Sequence, residues 1–224
     1  MKIVGINGSP RKDRSRTLQL VRAVLDGAKQ EGAQTEIVDI CSLDIEFCNG
    51  CETCYLTGEC IHDDDAAALF SKLEEADGIV LGSPVYIDSV TAQLKRWIDR
   101  LADAVHCQLL AGKYGCSVST AGGSREQEVV DYLNTVLGAV GVVVIGGVGV
   151  ALSKGPDALA DATVQATALG RELASAIRSK RQYPEKQAFL DARRDYFCRL
   201  ATLNKEAWKH QYEFWVEKGY IRDQ

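Results

Sequence analysis

Cys48, Cys51, Cys54 and Cys60 fall within thirteen residues in the spacing C-x2-C-x2-C-x5-C, and four thiols that close can wrap one centre that takes soft ligands. An iron–sulfur cluster is the centre that most often takes this arrangement, so the segment points to electron transfer. Other chemistries stay open on the residues alone. Structural zinc also accepts four thiolates, usually through two separated C-x2-C pairs. Cys51 and Cys54 could instead cycle between thiol and disulfide. Simple burial accounts poorly for the quartet, because Asn49-Gly50, Glu52-Thr53 and Thr57-Gly58-Glu59 are loop residues. The other four cysteines, Cys41, Cys107, Cys116 and Cys198, stand singly in apolar or amphipathic stretches and read as small buried hydrophobes. His62, beside the quartet, reads as an exposed loop histidine rather than as a donor to a metal centre.

A second chemical feature lies at the start of the chain, where Gly5-Ile6-Asn7-Gly8-Ser9-Pro10-Arg11 leads through Ser15 and Thr17 into a helical pattern. Glycine permits a tight turn, the hydroxyls of Ser9, Ser15 and Thr17 can donate to phosphate oxygens, and a helix start offers free amides to an anion. A monophosphate site results, although an ordinary strand–helix turn with capping hydroxyls would use the same residues. Lys12 lacks the spacing of a Walker A loop and no G-x-G-x-x-G is present, which argues against ATP and against a Rossmann dinucleotide site. Two further loops, Ser83–Ser89 and Thr120–Ser124, combine a Pro84-Val85-Tyr86 stretch with Gly122-Gly123. Together they can hold a planar aromatic ligand between flat apolar contact and close backbone approach, though each loop taken alone is an ordinary turn.

These sites need a scaffold, and the hydrophobic pattern supplies one. Strands are expected at about Lys2–Asn7, Gln34–Ile40, Gly78–Gly82, Tyr114–Thr120 and Ala139–Gly146, with helices at about Ser15–Glu31, Ala66–Ala76, Thr91–Leu101, Glu126–Val136 and Asp157–Ser179. Runs such as Ile79-Val80-Leu81 are apolar on both faces, as central parallel strands are. The alternation predicts a doubly wound five-stranded parallel sheet, order 2-1-3-4-5, whose ligands lie beyond the carboxyl ends of the strands. The cysteine-rich insertion, residues 41–65, follows the second strand, and its length marks it as functional. Asp63-Asp64-Asp65 reads as the cap and first-turn charges of the next helix rather than a metal site. Gly146-Gly147-Val148-Gly149 does not open a helix and reads as loop. The expected division is a domain over 1–181 and a helical aromatic extension over 182–224, with a candidate hinge at Arg178–Lys186.

With 224 residues, 46% of them hydrophobic, the chain can build one sizeable core. A net charge of -5 gives no basic footprint for nucleic acid or an anionic membrane. The opening strand has no secretory-signal pattern and no apolar run spans a bilayer, so a cytoplasmic location is expected, where thiols stay reduced.

Gly5–Thr17, Cys48–Asp64, Ser83–Tyr86 with Gln93-Leu94-Lys95, and Gly122-Gly123 together resemble the iron–sulfur flavoproteins of the flavodoxin-like, NAD(P)H-dependent FMN reductase superfamily. The likeness covers about residues 1–150 and, more loosely, the aromatic tail. It implies a flavodoxin-like fold, FMN, and a cubane 4Fe–4S cluster on Cys48, Cys51, Cys54 and Cys60. The phosphate would lie on Ser9, Arg11, Ser15 and Thr17, and the ring between Pro84, Val85, Tyr86 and Thr120, Ala121, Gly122, Gly123. Electrons would pass between a donor, ferredoxin-like or NAD(P)H, and an acceptor, in a homodimer or homotetramer that sets a cluster near a neighbouring subunit's flavin. The alternatives are a clusterless NAD(P)H-dependent FMN or quinone reductase and a non-enzymatic redox carrier or sensor. No side chain stands out as a general acid or base.

Overall fold

The computed structural model describes residues 1–222; Asp223 and Gln224, the last two positions of the expected extension, lie outside the described residues. β1 (Lys2–Asn7), β2 (Gln34–Asp39), β3 (Gly78–Pro84), β4 (Tyr114–Ala121) and β5 (Val143–Ala151) form one parallel sheet in the order β2-β1-β3-β4-β5. Nine helices are described: α1 (Arg16–Gln30), α2 (Thr53–Thr57), α3 (Asp65–Glu74), α4 (Ala92–Ile98), α5 (Ala102–His106), α6 (Glu126–Ala139), α7 (Ala158–Ser179), α8 (Pro184–Leu203) and α9 (Lys209–Glu217).

Successive residues of a strand face opposite sides of the sheet, and here both sides are covered. Ile3, Val80, Cys116 and Val118 pack with Leu20, Val21 and Val24 of α1 and Ala166 and Leu173 of α7. Val4, Ile6, Ile79 and Leu81 pack on the other face with Leu69 and Leu73 of α3, Leu94 and Trp97 of α4 and Leu133 of α6. Burying each large apolar side chain is worth about 1.5–3 kcal/mol, which is why the central strands carry near-continuous apolar runs. The seam between α1 and α7 is tighter than side chains allow. A Cβ on Gly27 would lie 2.0 Å from the Thr167 carbonyl oxygen, and one on Gly170 would lie 1.8 Å from that of Val24, so the helices touch backbone to backbone.

Two elements depart from expectation by more than a few residues at an end. The fifth strand runs over Val143–Ala151, not Ala139–Gly146, and Gly146–Gly149 belong to it instead of forming a loop. The register slips between Gly115 and Cys116, whose partners are Val144 and Gly146, leaving Ile145 as a bulge. The glycines that look like loop are there because α6 lies close: a Cβ on Gly147 would meet Val130 Cγ1 at 2.5 Å, and one on Gly149 would meet Glu126 Cγ at 3.0 Å. The helix expected over Thr91–Leu101 is also broken: α4 ends at Ile98, a 3-10 turn covers Asp99–Leu101, and α5 follows.

After α7, Lys180 takes a left-handed conformation and the Tyr114 hydroxyl donates to the Arg181 carbonyl at 2.9 Å, so the connection to α8 is tied to the sheet. Pro184 opens α8 at the position where a missing N–H costs nothing. The tail then folds back over the cysteine segment. Tyr55 stacks on His106 at 4.6 Å, His106 on Phe197 at 4.4 Å, and Trp208 lies 5.0 Å from both Tyr55 and His106. Ala201, Tyr212 and Trp215 form a small core of their own. Among the described residues no helix is long and apolar enough to cross a membrane.

Candidate functional site

Because β1, β3 and β4 are parallel neighbours, the loops that leave them share one rim. Four contacts tie these loops together. The Gly8 amide donates to the Gly82 carbonyl at 2.7 Å, the Thr91 hydroxyl to the Gly8 carbonyl at 2.6 Å, and the Val85 amide to the Thr120 carbonyl at 2.8 Å. The hydroxyls of Thr17 and Thr120 lie 2.6 Å apart, both buried. In the first loop, Asn7 Oδ1 accepts from the Ser9 amide at 3.3 Å and Ser9 Oγ accepts from the Arg11 amide at 3.4 Å. Ser15 caps α1, its Oγ accepting from the Leu18 amide at 3.0 Å. The amides of Arg16 and Thr17 are then the ones the helix itself cannot satisfy. Arg11 is exposed, while Ser9, Ser15 and Thr17 are buried.

Pro84 ends β3 and is buried, Val85 is half-buried, and Tyr86 is 38% exposed. Tyr86 and Ser89 exchange two backbone hydrogen bonds across a tight turn with Ile87 and Asp88 both at positive φ, and Ile87 is 98% exposed. On the third loop Thr120 and Ala121 are buried; Gly122 and Gly123 are exposed, and a Cβ on either would meet nothing within 4 Å. Ser153 fixes that loop from beyond β5, its amide donating to the Gly122 carbonyl at 3.1 Å and its hydroxyl to that of Gly123 at 2.6 Å. The Ser119 hydroxyl, just inside the rim, is buried with no partner among the described residues. The rim therefore offers amides, hydroxyls and a cation at one end and bare backbone at the other, a donor set that fits a phosphate monoester joined to a flat ring. The sequence reading brought these residues together but missed Asn7, Thr91 and Ser153. Only Asn7, ending a strand before Gly-Ser, carries a local signal, that of an Asx turn.

Three left-handed positions, Gly50 (φ 69), Glu52 (φ 60) and Gly58 (φ 81), fold the cysteine segment back on itself around α2. Cys48, Cys51 and Cys60 are exposed and Cys54, on α2, is half-buried; all are free thiols. Hydrogen bonds from the Thr53 hydroxyl and amide hold the Cys51 thiol below its ordinary value. Burial, with the Asp103 charge adding to it, pushes Cys54 up to about 11. A single tetrahedral zinc with Zn–S bonds of about 2.3 Å would gather its sulfurs to about 3.8 Å. Among the described residues the one group of three or more ligating atoms within 4.8 Å of one another lies elsewhere, at Asp103, Cys107 and His210. Among the described residues the four cysteine sulfurs do not form such a group. Asp103, Cys107 and His210 are satisfied as they stand. Asp103 accepts from Gln211 Nε2 at 3.0 Å, His210 Nε2 lies 3.5 Å from its other oxygen, and Cys107 Sγ lies 3.9 Å away.

The base of the segment is closed by an ion pair that sequence reasoning did not find. Arg100 and Asp64 have side chains 3% and 5% exposed and meet at 2.5 Å. Arg100 Nη1 also donates to the Glu46 carbonyl at 2.9 Å, and Nη2 donates to Cys60 Sγ at 3.1 Å. Asp64 in turn accepts from the amides of Glu46 at 2.8 Å and Ala66 at 2.9 Å, the latter as the cap of α3, in line with the capping role expected for this aspartate run. Burial alone would raise the Asp64 carboxyl, but Arg100 and these amides outweigh it and hold it below the ordinary carboxylate value. His62 is half-buried instead of exposed, and its Nε2 has no partner among the described residues.

Fold and rim together define a flavodoxin-like class of flavin protein carrying an added cysteine segment. The family model described as NADPH-dependent FMN reductase matches residues 1–157. An iron–sulfur flavoprotein of Archaeoglobus fulgidus is 39% identical over 229 residues, covering 99% of this chain and 100% of that protein. Among solved structures, a flavone reductase superposes with TM-score 0.64 at 22% identity over 82% of this chain and 66% of its own. A flavodoxin from the domain Archaea gives 0.55 at 15% identity over 80% and 99%. The chain belongs to the iron–sulfur flavoproteins of the flavodoxin-like FMN reductase family. It is an FMN-dependent oxidoreductase.

Proposed function

We propose that this chain carries FMN on its sheet rim and a 4Fe–4S cluster on Cys48, Cys51, Cys54 and Cys60, and passes electrons between a reduced donor, a ferredoxin-like protein or NAD(P)H, and an acceptor. FMN handles electrons singly or in pairs and the cluster handles them singly, so holding both joins two-electron to one-electron chemistry. The protein's own groups bind and orient. Arg11, the hydroxyls of Ser9, Ser15 and Thr17 and the amides at the start of α1 take the phosphate. Pro84, Val85 and Tyr86 face the ring from one side and Thr120, Ala121, Gly122 and Gly123 from the other. Helices α8 and α9 serve as the cover of the cysteine segment.

The observation that carries this reading is the shape of the cysteine segment: free thiols set on a loop with three left-handed turns and closed by a buried ion pair, instead of dispersed in the core. Thr91, which holds the flavin rim, caps α4, whereas Arg100, which touches Cys60, lies in the 3-10 turn that follows that helix. On this reading the cluster and the flavin rim lie toward opposite ends of that stretch. Phe47, Leu56 and Ile61 around the cysteines are 69%, 47% and 52% exposed, and Ile87 stands at the flavin rim, which supports a homodimer or homotetramer in which these faces of two copies meet. Sedimentation of the full-length protein as a monomer at micromolar concentration would overturn that assembly.

The test of the cofactors is iron, acid-labile sulfide and flavin analysis of protein purified without oxygen. Cys51→Ser and Cys54→Ser should lose iron and sulfide yet keep FMN, because thiolates and flavin loops are separate segments. Unchanged iron per chain in both variants would sink the cluster. Steady-state oxidation of NADPH, NADH or reduced ferredoxin separates the donors.

A further inference from the structure

The contact between Arg100 and Cys60 has more in it than loop closure. A guanidinium is costly to bury, and this one is held at both ends of its fork by Asp64 and the Glu46 carbonyl. Its Nη2 is nonetheless aimed at a sulfur 3.1 Å away. A neutral thiol is a weak acceptor, whereas a thiolate bound to a metal carries charge and accepts strongly from a cation. The donor is therefore matched to Cys60 as a charged ligand, and because Asp64 is itself pinned by two backbone amides, the direction of Nη2 is fixed beforehand.

We infer that Arg100 is a positioning residue that fixes the Cys60 sulfur and raises the reduction potential of the centre it ligates. The inference rests on the reading of Cys60 as a cluster ligand. When one electron enters from a donor, no bond is made or broken, and negative charge spreads onto the sulfurs. A hydrogen bond from a desolvated cation favours the more negative state over the less negative one. Removing it makes the electron harder to add. No other hydrogen bond from a protein cation to a quartet sulfur is seen among the described residues, so the effect is local to Cys60.

The experiment is a dithionite titration of the anaerobically purified holoprotein, followed by electron paramagnetic resonance for the cluster and by visible absorption for the flavin. Three variants are compared with the parent. Arg100→Gln removes the charge and the fork. Arg100→Lys keeps a cation for Asp64, so the loop keeps its ion pair, but gives up the planar geometry that reaches both carboxylate and sulfur. Arg96→Gln is the control, since Arg96 reaches the same segment at the Leu43 carbonyl and the Phe47 ring without touching a sulfur. At parental iron content, Arg100→Gln should lower the reduction equilibrium constant at least tenfold, a shift of about 59 mV for a one-electron couple. Arg100→Lys should shift the same way by less, while Arg96→Gln and the flavin midpoints stay put.

Unchanged cluster midpoints in both Arg100 variants at full iron content would overturn the inference and leave the cluster assignment intact. Loss of iron from Arg100→Lys with flavin still bound would also overturn it, because the arginine would then be a folding element of the loop. Absence of iron and sulfide from the parent protein would instead refute the underlying reading of the cysteines.

Discussion

Replacing Gly58 by alanine asks whether the C-terminal helices hold the cysteine segment in shape. Gly58 ends α2 at φ +81, and a Cβ there would lie 2.7 Å from Cε1 and 2.8 Å from Nδ1 of His210. The left-handed backbone costs an L residue about 1–2 kcal/mol. The ring must also swing away from Asp103, which is 12% exposed and loses a partner at 3.5 Å, and overpacking of this kind costs ~1–3 kcal/mol more. The sum is roughly 2–5 kcal/mol. Gly50 is the internal control: its φ is +69, but nothing lies within 4 Å of a Cβ, so Gly50→Ala should cost only the backbone part, about 1–2 kcal/mol. Urea unfolding of the full-length protein reads the difference, since Trp208 and Trp215 lie in the tail and report its release by fluorescence. In a His210→Ala background the cost of Gly58→Ala should fall to that of Gly50→Ala. Equal losses for the two glycine variants, or no rescue by His210→Ala, would refute the docking of α9 on α2.

Thr17→Val strands the buried Thr120 hydroxyl and should cost about 1–3 kcal/mol, whereas adding Thr120→Val should recover part of the loss; thermal unfolding of the three variants decides it. Arg11→Ala combined with Ser15→Ala should weaken FMN far more than riboflavin in a fluorescence titration, with Arg11→Ala alone as the control because Ser15 also caps α1; equal losses for the two flavins would place the phosphate elsewhere. Burial holds the His106 imidazole below its ordinary 6.5, against the pull of Gln211 and Asp103, so its contribution to tail docking is full above pH 6.5 and is lost as pH falls through the lower folded value. Asp103, raised by burial, works in the opposite sense at more acid pH. Limited proteolysis of the tail should quicken on mild acidification, and His106→Phe, which keeps the ring stack, should flatten that response.

The strand order was legible because a buried parallel strand has to be apolar on both faces, as Ile79-Val80-Leu81 is, and the cysteine segment because its spacing survives in one dimension. The end of β5 was not, since the close approach of α6 demands the glycines that otherwise announce a loop. Arg100 and Asp64 were out of reach for another reason: an ion pair between residues far apart in the chain leaves no periodicity, and each residue alone fits a solvated helix end. The tail's aromatics announced that something would be covered, but only the fold shows that Tyr55 and His106 lie beneath them.

The backbone contact of α1 with α7 sets a schedule for biosynthesis. α1 begins at the proposed phosphate loop and is complete by Gln30, yet the helix that seats it ends at Ser179. At about 5–20 residues per second the ribosome takes roughly 7–30 s to cover the distance between them. During that interval first the cysteine segment and then the rim loops are made, while α1 still lacks the helix that packs on it, and α8 and α9, which lie over the cysteine segment, come later still. The seat of α1 and the cover of the cysteine segment are thereby both completed only after most of the chain has been made.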